Sequence, residues 1–466
     1  MFQHYWLWIR LGKTRKDLQS VLYKEGGRVL KKVAVAWSAL LIALSLAGCG
    51  KDNSGTLSGN SGGNSNGNAA ESAPVALTWW GDSDFEQANK QMVADFEAKY
   101  PDIKVKYQSF PYDAYIPKLQ AAFAAHQGPD AAEVFGSWMP QYEKNGLLAP
   151  VPNATKYQQR FYPPTTAGYT FKGTMYGLPH EFNLENDAML THPAMFKAKN
   201  ISYPPKTWDD IIKDGQKLTV MNGNQIKVRG FDFINTDSVM FMFLANILQQ
   251  GGNYWTNNGH VNFTSPEAVK AMQFEKDLID KYHLTDLSQA SNTNLDSSDI
   301  FFKEGSAMSM RGPWVIATGQ QQYKKNDFAY IPIPSFDPAN PPYFAAESGW
   351  GEVVSARSKH QQAAWKFIQF LMTKPEEEKF NLATFTVPAD KSITQDPAFQ
   401  KQVPLMKASL DALQYGKPIG LVWDRDFLSN AIYENFQSIV ANKETVQQGL
   451  QNIQDSVNNM IDQHAN

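Results

Sequence analysis

Residues 75–110 read VALTWWGDSDFEQANKQMVADFEAKYPDIKVKYQSF and decide the fold class. The apolar run at 75–80 predicts a strand, and the alternation of apolar and polar residues over 103–107 predicts a second strand. Between them, apolar residues recur at helical spacing over 84–99. Because another helical stretch and an apolar strand at 131–135 follow in the same rhythm, the sequence predicts an α/β sheet with parallel strands.

Size and composition narrow the class of protein. The chain has 466 residues, enough for two domains, and its net charge of -3 with 19% charged residues is not the basic footprint of a nucleic-acid-binding protein. It is rich in aromatic residues, with 12 Trp, 19 Tyr and 28 Phe. So many aromatic side chains suggest that some of them line a binding surface.

A targeting signal precedes the predicted sheet. Lys31 and Lys32 are followed by an apolar run of 14 residues, 33–46, which is too short for a membrane span of about 20 residues. The run ends in LAGC at 46–49, and Cys49 is the only cysteine of the chain. This ending resembles the lipobox of bacterial lipoproteins, in which the cysteine is acylated and becomes the mature N-terminus.

The lipobox resemblance assigns a role to each segment before the predicted sheet. Residues 1–48 are predicted to be a signal peptide, with 1–28 as an extension that does not resemble a signal, so we expect translation to begin at Val29. Residues 49–73 are predicted to be a lipidated cysteine and a flexible linker rich in Gly, Ser and Asn. The protein is then expected outside the cytoplasm, anchored by lipid to the outer face of the cell membrane.

Four groups of short motifs follow one another along the rest of the chain. They are YGLP at 176–179 with PKTWD at 205–209, GG at 251–252 with FTSPEA at 263–268, FFKEG at 301–305 with AM at 307–308 and GPW at 312–314, and GWG at 349–351 with SK at 358–359 and AAWKF at 363–367. In this order they resemble the maltose-binding-like family of extracellular solute-binding proteins of carbohydrate ABC transporters. One departure is MLTH at 189–192, where the family usually has YYNK; we expect this position beside the cleft to differ.

The resemblance implies a type II periplasmic-binding-protein-like fold, with two α/β lobes, a hinge and a ligand cleft between the lobes. Lobe 1 is expected over 74–183 and 350–388, and lobe 2 over 184–349 and 389–466. Ligand binding would close the lobes about the hinge, and a membrane permease would recognise the closed form. We expect a monomer, without a cofactor and without a metal, since the sequence shows no metal-binding cluster.

A sugar has apolar C–H faces and a rim of hydroxyls, so we looked for aromatic and polar residues at strand ends and crossovers. The candidates are Trp80, Asp82, Trp138, Glu181, Asn183, Trp255, Arg311, Trp314, Trp350 and Trp423, the last because the family carries a stacking aromatic there. Alternatives remain open for several of them. Trp79 and Trp80 are neighbours on a strand, so alternation places at least one of them in the core. Glu181 could form a hinge salt bridge. Trp255 could cover a helix end, and Trp423 could cap the lobe surface.

The expected function is capture of a sugar or oligosaccharide by a substrate-binding lipoprotein of an ABC importer, without catalysis. An exported glycosidase is the main alternative, because Asp82 and Glu181 could act as a carboxylate pair about 5–10 Å apart. No metal, phosphate-loop or nucleophile motif with the right context accompanies them in the sequence. A polyol, glycerol phosphate or polyamine as ligand also remains open, whereas the lack of internal repeats counts against a structural or adhesive protein.

Overall fold

The computed structural model of the protein describes residues 74–289, 297–420 and 422–464. The predicted signal peptide, the lipidation of Cys49 and the linker at 49–73 lie outside the described residues and stay predictions. Within the described ranges, no helix combines the length and the apolar character needed to cross a membrane.

Helices and short strands alternate along the described chain. The helices are α1 (Glu86–Lys99), α2 (Tyr112–Ala124), α3 (Met139–Glu143), α4 (Ala154–Arg160), α5 (Pro163–Gly168), α6 (Pro193–Ala198), α7 (Trp208–Leu218), α8 (Thr236–Gln249), α9 (Pro266–Asp280), α10 (Ser297–Phe302), α11 (Val315–Ala317), α12 (Gln361–Leu371), α13 (Lys374–Thr384), α14 (Lys391–Thr394), α15 (Pro397–Gln402), α16 (Lys407–Ala412), α17 (Arg425–Val440) and α18 (Val446–His464). The strands are β1 (Val75–Asp82), β2 (Ile103–Phe110), β3 (Ala131–Phe135), β4 (Thr170–Phe171), β5 (Thr174–Met175), β6 (Gly177–Pro179), β7 (Ala188–Thr191), β8 (Val220–Asn222), β9 (Gln225–Val228), β10 (Met308–Met310), β11 (Ala329–Pro332), β12 (Phe344–Ala346), β13 (Trp350–Val354) and β14 (Gly416–Pro418).

The first lobe is built on a five-stranded sheet in the order β2-β1-β3-β13-β6. Strand β1 is parallel to β2, from Val75 opposite Ile103 to Asp82 opposite Phe110, and it is also parallel to β3. The predicted parallel strands are therefore confirmed for β1 to β3. Strand β13 enters from far along the chain and runs antiparallel between β3 and β6, so the complete sheet is mixed.

The second lobe has a smaller sheet and a helical core. Strand β7 lies between β10 and β11 and is antiparallel to both. Helix α8 is buried along most of its length and forms part of this core. The segment at 189–192 belongs to this interior: Met189 is fully buried, and the His192 ring stacks on Phe301 with centroids 3.9 Å apart. The expectation that this segment adjoins the cleft is wrong, because β7 points its side chains into packed surroundings.

Three chain segments cross between the two cores side by side. The Phe182 amide donates to the Val387 carbonyl at 2.7 Å, and Asn183 forms an isolated β-bridge with Glu347. The side chains of Phe182, Val387 and Phe344 share a small hydrophobic cluster of their own. These contacts join the crossovers into one hinge region, while the residues at which one lobe ends and the other begins stay a prediction.

Candidate binding cleft

A cavity of about 320 Å³ opens between the two lobes. Among the described residues its aromatic lining is Phe85, Tyr112, Phe135, Trp138, Trp314 and Trp350, its carboxyl lining is Asp82, Asp84, Glu181, Glu185, Asp237 and Asp426, and its guanidinium lining is Arg311 and Arg425. The remaining lining is neutral, including Asn183. The cleft thus combines flat apolar surfaces with many hydrogen-bond acceptors.

Trp350 is the centre of the aromatic lining. Its ring meets the rings of Trp138 and Phe135 edge to face, with ring centroids 5.5 Å apart in each pair. The rings of Tyr112 and Phe85 also meet it edge to face, with centroids 6.0 and 6.2 Å away. Perpendicular packing of this kind is favoured by the quadrupoles of the rings. Because neighbours hold the indole from several sides, its orientation is fixed before any ligand arrives.

The backbone before Trp350 makes this placement possible. Gly349 has φ +69°, and a Cβ at this position would lie 2.5 Å from Cγ of Glu181. Only glycine adopts this conformation freely and leaves that space open. Oε1 of Glu181 therefore reaches the Trp350 amide and accepts its hydrogen bond at 2.9 Å.

Arg425, the first residue of α17, is the most heavily bonded charged group of the cleft. Its Nε and Nη2 donate to the two carboxylate oxygens of Glu347 at 2.9 and 3.2 Å, and its Nη1 donates to Asp237 at 2.6 Å. Burial disfavours the charge, but Asp237 and Glu347 together raise the pKa of Arg425 well above its ordinary value. Arg425 stays charged and ties the hinge at Glu347 to the start of α8.

Several carboxyl groups of the cleft are hard to ionise because they are buried. Burial raises the pKa of Asp82 to about 7, although the Asp84 amide donates to its carboxylate at 2.8 Å. Burial also raises the pKa of Glu181 to about 8 and that of Glu185 to about 8, even with Arg311 Nη1 at 3.6 Å from Glu185. Near neutral pH these groups can therefore act as donors or as acceptors toward a polar ligand.

The cleft brings together seven of the ten residues that the sequence singled out. They are Asp82, Trp138, Glu181, Asn183, Arg311, Trp314 and Trp350. Trp138 is buried with an indole N–H that has no hydrogen-bond partner among the described residues. Whether these residues contact a ligand stays a prediction, which the function proposed below takes up.

Trp80 does not belong to the cleft lining. Trp79 is fully buried in the first core, whereas the Trp80 indole donates to Gln108 at 3.0 Å and its ring meets Phe110 at 5.1 Å. The expected division of the two indoles between the two faces of the sheet is confirmed. The interpretation of Trp80 as a ligand residue is not supported, because its ring packs on Phe110 beside Gln108 and does not line the cavity.

Trp255 and Trp423 also lie apart from the cavity. The Trp255 indole donates to the Ile419 carbonyl at 2.7 Å and packs against Gly420. Trp423 stacks on His464 with centroids 4.3 Å apart. Neither ring lines the cavity, because contacts with other parts of the chain hold both of them elsewhere.

Sequence reasoning missed several cleft residues that lie next to predicted ones. Arg425 belongs to the same WDRD stretch as Trp423, yet only the aromatic residue was selected. Phe85 and Phe135 follow or end strands of the first sheet, where the strand-end rule already pointed. Extending that rule to every aromatic or charged residue within three positions of a strand end would have found Phe85 and Phe135.

One buried group in the first lobe has the composition of a metal site. Ligand atoms of Glu133, His180 and Glu352 lie within 4.8 Å of one another, the only such group of three in the described part of the chain. Glu133 already accepts hydrogen bonds from Asn89 at 2.8 Å and from the Asp82 amide at 2.7 Å. The group is buried, with Glu133 on β3, Glu352 on β13 and His180 directly after β6, and it does not line the cleft.

Known proteins resemble this chain over most of its length. The profile of the bacterial extracellular solute-binding protein family matches residues 50–378. The arabinooligosaccharide-binding protein of Bacillus subtilis is 26% identical over 363 residues, 75% of this chain and 78% of that protein. The maltotriose-binding protein of Pyrococcus abyssi is 24% identical over 351 residues, 72% of each protein.

A solved structure shares the fold over its whole length. It is an ABC transporter solute-binding protein of Thermotoga lettingae bound with α-D-tagatose, with a TM-score of 0.72 and 22% identity. The match covers 83% of this chain and 100% of that protein. The two-lobe type II architecture expected from the motifs is thereby confirmed.

Proposed function

We propose, because this chain belongs to the family of bacterial extracellular solute-binding proteins, that it captures a sugar or oligosaccharide between its lobes and delivers it to the membrane permease of an ABC importer. The observation that carries the proposal is the combination of an aromatic lining and a rim of carboxyl groups in one cleft between lobes. Relatives named for binding arabinooligosaccharides and maltotriose support a sugar as the ligand.

The proposed contacts follow from the chemistry of a sugar ring. Trp350, Trp138 and Trp314 would cover the apolar C–H faces, which rigid aromatic rings do at low cost in conformational entropy. Asp82 and Glu181 would accept hydrogen bonds from hydroxyls, and such bonds are stronger when the acceptor is charged. We therefore expect the carboxyl groups to determine which sugar binds and the aromatic rings to supply most of the affinity.

Closure about the hinge would signal to the permease that the protein carries a ligand. Residues from both lobes line the cleft, so a ligand that contacts both would stabilise the closed arrangement. A permease that prefers the closed form would then distinguish loaded from empty protein. We propose that the protein does this as a monomer held to the outer face of the membrane through lipidated Cys49 and its linker.

We propose binding without turnover. Asp82 and Glu181 both line the cleft, so a glycosidase pair is the alternative that the experiment must address. Isothermal titration calorimetry with a panel of oligosaccharides, followed by chromatography of the mixture, separates the two functions. A binder gives saturable heat and intact sugar, whereas shortened sugars would reject the proposal in favour of an enzyme.

The aromatic contacts have their own test. We expect Trp314→Ala to weaken binding of the sugar identified in the panel by about tenfold, because a half-buried stacking ring is lost. Trp80→Ala, which removes an indole outside the cleft, is the matched control and should bind as the native protein does. Equal affinity of W314A and native protein, with both folded by circular dichroism, would contradict the aromatic contact.

A further inference from the structure

The charge of the cleft is strongly unbalanced. Among the described residues that line it, six carboxyl groups face two guanidinium groups, a formal balance of -4 when all are ionised, and no lysine or histidine contributes. A neutral sugar would leave this balance unchanged. A closed cleft excludes water, which makes uncompensated like charges more expensive.

The two guanidinium groups are already committed to particular carboxylates. Arg425 binds Glu347 through two nitrogens and Asp237 through a third contact at 2.6 Å. Arg311 lies 3.6 Å from Glu185, and its guanidinium carbon is 5.6 Å from the Trp314 ring centroid. Neither group is available to neutralise the acids on the first-lobe side.

Three first-lobe acids of the cleft form no ion pair with a described residue, and of these Asp84 is exposed whereas Asp82 and Glu181 are buried. Both are at least nine-tenths buried, and neither forms an ion pair with any described residue. Their protein partners are backbone amides, since Asp82 accepts from Asp84 at 2.8 Å and Glu181 accepts from Trp350 at 2.9 Å. An amide orients a carboxylate without cancelling its charge, and one oxygen of each acid is not engaged by these bonds.

A metal ion does not fit these acids. In the described ranges, the only three potential ligands that lie close enough together are Glu133, His180 and Glu352, and that group does not line the cavity. Asp82 and Glu181 lie close enough for their charges to repel each other, in a cavity whose aromatic residues include Trp350. Acids beside aromatic faces suit an organic cation that also carries a ring with apolar C–H faces, because indole faces attract cations as well as C–H surfaces.

We infer that the ligand is an amino sugar, or a short oligosaccharide containing one, whose protonated amino group contacts Asp82 and Glu181. This inference rests on the proposed sugar-binding function and names the class of sugar. The ammonium group supplies the cation that the first-lobe acids lack, while the pyranose face lies against the aromatic lining. A neutral sugar matches the aromatic lining and can donate hydroxyls to the acids but brings no positive charge, and a polyamine brings positive charge but no sugar ring.

The test is isothermal titration calorimetry of the full chain with matched sugars. The probes are the amino sugars of the glucose, galactose and mannose series and the β-1,4-linked glucosamine dimer, each with its N-acetylated and its hydroxyl counterpart, and spermidine as a cation without a ring. We expect at least one amino sugar to bind about tenfold tighter than both of its counterparts, because ionic hydrogen bonds replace neutral ones.

The other outcomes are distinguishable. Neutral counterparts that bind equally well or better would overturn the inference and leave the proposed function standing. Binding of spermidine with no sugar bound would overturn both. Failure of every probe to bind overturns the inference, since none of the amino sugars is then accepted, while a response to other oligosaccharides in the wider panel would still support the proposed function.

Two amide variants localise the effect. Asp82→Asn and Glu181→Gln keep an oxygen that can accept from the Asp84 and Trp350 amides but remove the charge. We expect each to weaken amino-sugar binding about tenfold while changing the affinity for the neutral counterpart less. Asp455→Asn, an exposed acid on α18, is the control, and equal losses for both classes of sugar in D82N and E181Q would overturn the assigned contact.

Discussion

Ionised Glu181 would lower the stability of the protein and at the same time supply an acceptor for the ligand. It lies at the first crossover, is almost fully buried, and accepts the Trp350 amide at 2.9 Å. Its burial raises the pKa to about 8, so ionisation at higher pH places an uncompensated charge in the closed interior. The same charge is the acceptor that a polar or cationic ligand would use, which is the usual conflict between stability and function at a binding site.

This conflict predicts how Glu181→Gln responds to pH. The folded pKa of about 8 exceeds the ordinary value of 4.5, so the stability that protonated Glu181 contributes is complete at low pH and is lost as the pH rises through 8. Glutamine cannot ionise, and we expect unliganded E181Q to melt at least about 2 °C above native protein near pH 9. Scanning calorimetry near pH 4, below both pKa values, is the control, where the difference should be much smaller; an equal difference at both pH values would contradict the prediction.

At the scale of elements, one arginine joins helices that meet beside the hinge. Arg160 ends α4 and lies 2.6 Å from Glu377 of α13 and 2.6 Å from Asp390, the residue before α14. The carboxyl groups are fully buried while the arginine is partly exposed. Burial raises the pKa of Glu377 well above its ordinary value, and Arg160 opposes that rise. The arrangement holds the crossover segment that follows Val387 against α4 of the first lobe.

Removing that arginine should be costly. We expect Arg160→Met to lower the free energy of unfolding by about 3 kcal/mol near pH 8, because two buried acids lose their cation. Lys156→Met on the same helix removes an exposed charge without an ion pair among the described residues, and should change stability by less than about 0.5 kcal/mol. Urea unfolding of both variants provides the measurement, and equal losses would show that the effect belongs to the helix rather than to the ion pair.

At the scale of the molecule, the cleft exists only as the space between two lobes. Its first-lobe lining follows strands of the five-stranded sheet, and its second-lobe lining includes Asp237, Arg311 and Arg425. The three crossovers between the lobes touch one another through hydrogen bonds such as that from Phe182 to Val387. Such a bundle of short connections allows the lobes to move as bodies while each core stays intact.

Closure predicts a change in shape and in stability together. With a bound sugar at one hundred times its Kd, we expect the free energy of unfolding to rise by about 2.7 kcal/mol, because the ligand binds only the folded protein. The radius of gyration from small-angle X-ray scattering should fall at the same concentration and stay constant with a sugar that gives no heat. A ligand that stabilises the protein without reducing its radius of gyration would contradict closure.

The sequence alone determined the local structure and the general position of the site. Periodicity predicted β1 to β3 and α1, and local capping fixes helix starts such as that of α7, where Thr207 accepts from the Asp210 amide. Seven of ten predicted residues line one cavity because strand ends and crossovers are local features that glycine and aromatic residues mark. These properties depend on neighbours a few positions apart, which a sequence displays directly.

Tertiary structure alone decided how distant segments meet. The entry of β13 between β3 and β6, and the pairing of Arg425 with Glu347 across 78 positions, follow no local pattern. Trp350 lines the cleft whereas Trp80, Trp255 and Trp423 do not, although all four are indoles near glycines or polar residues. Which surface an indole covers, and how far burial raises the pKa of a carboxyl group, depend on the elements that fold against it. That arrangement is set by packing across the whole chain.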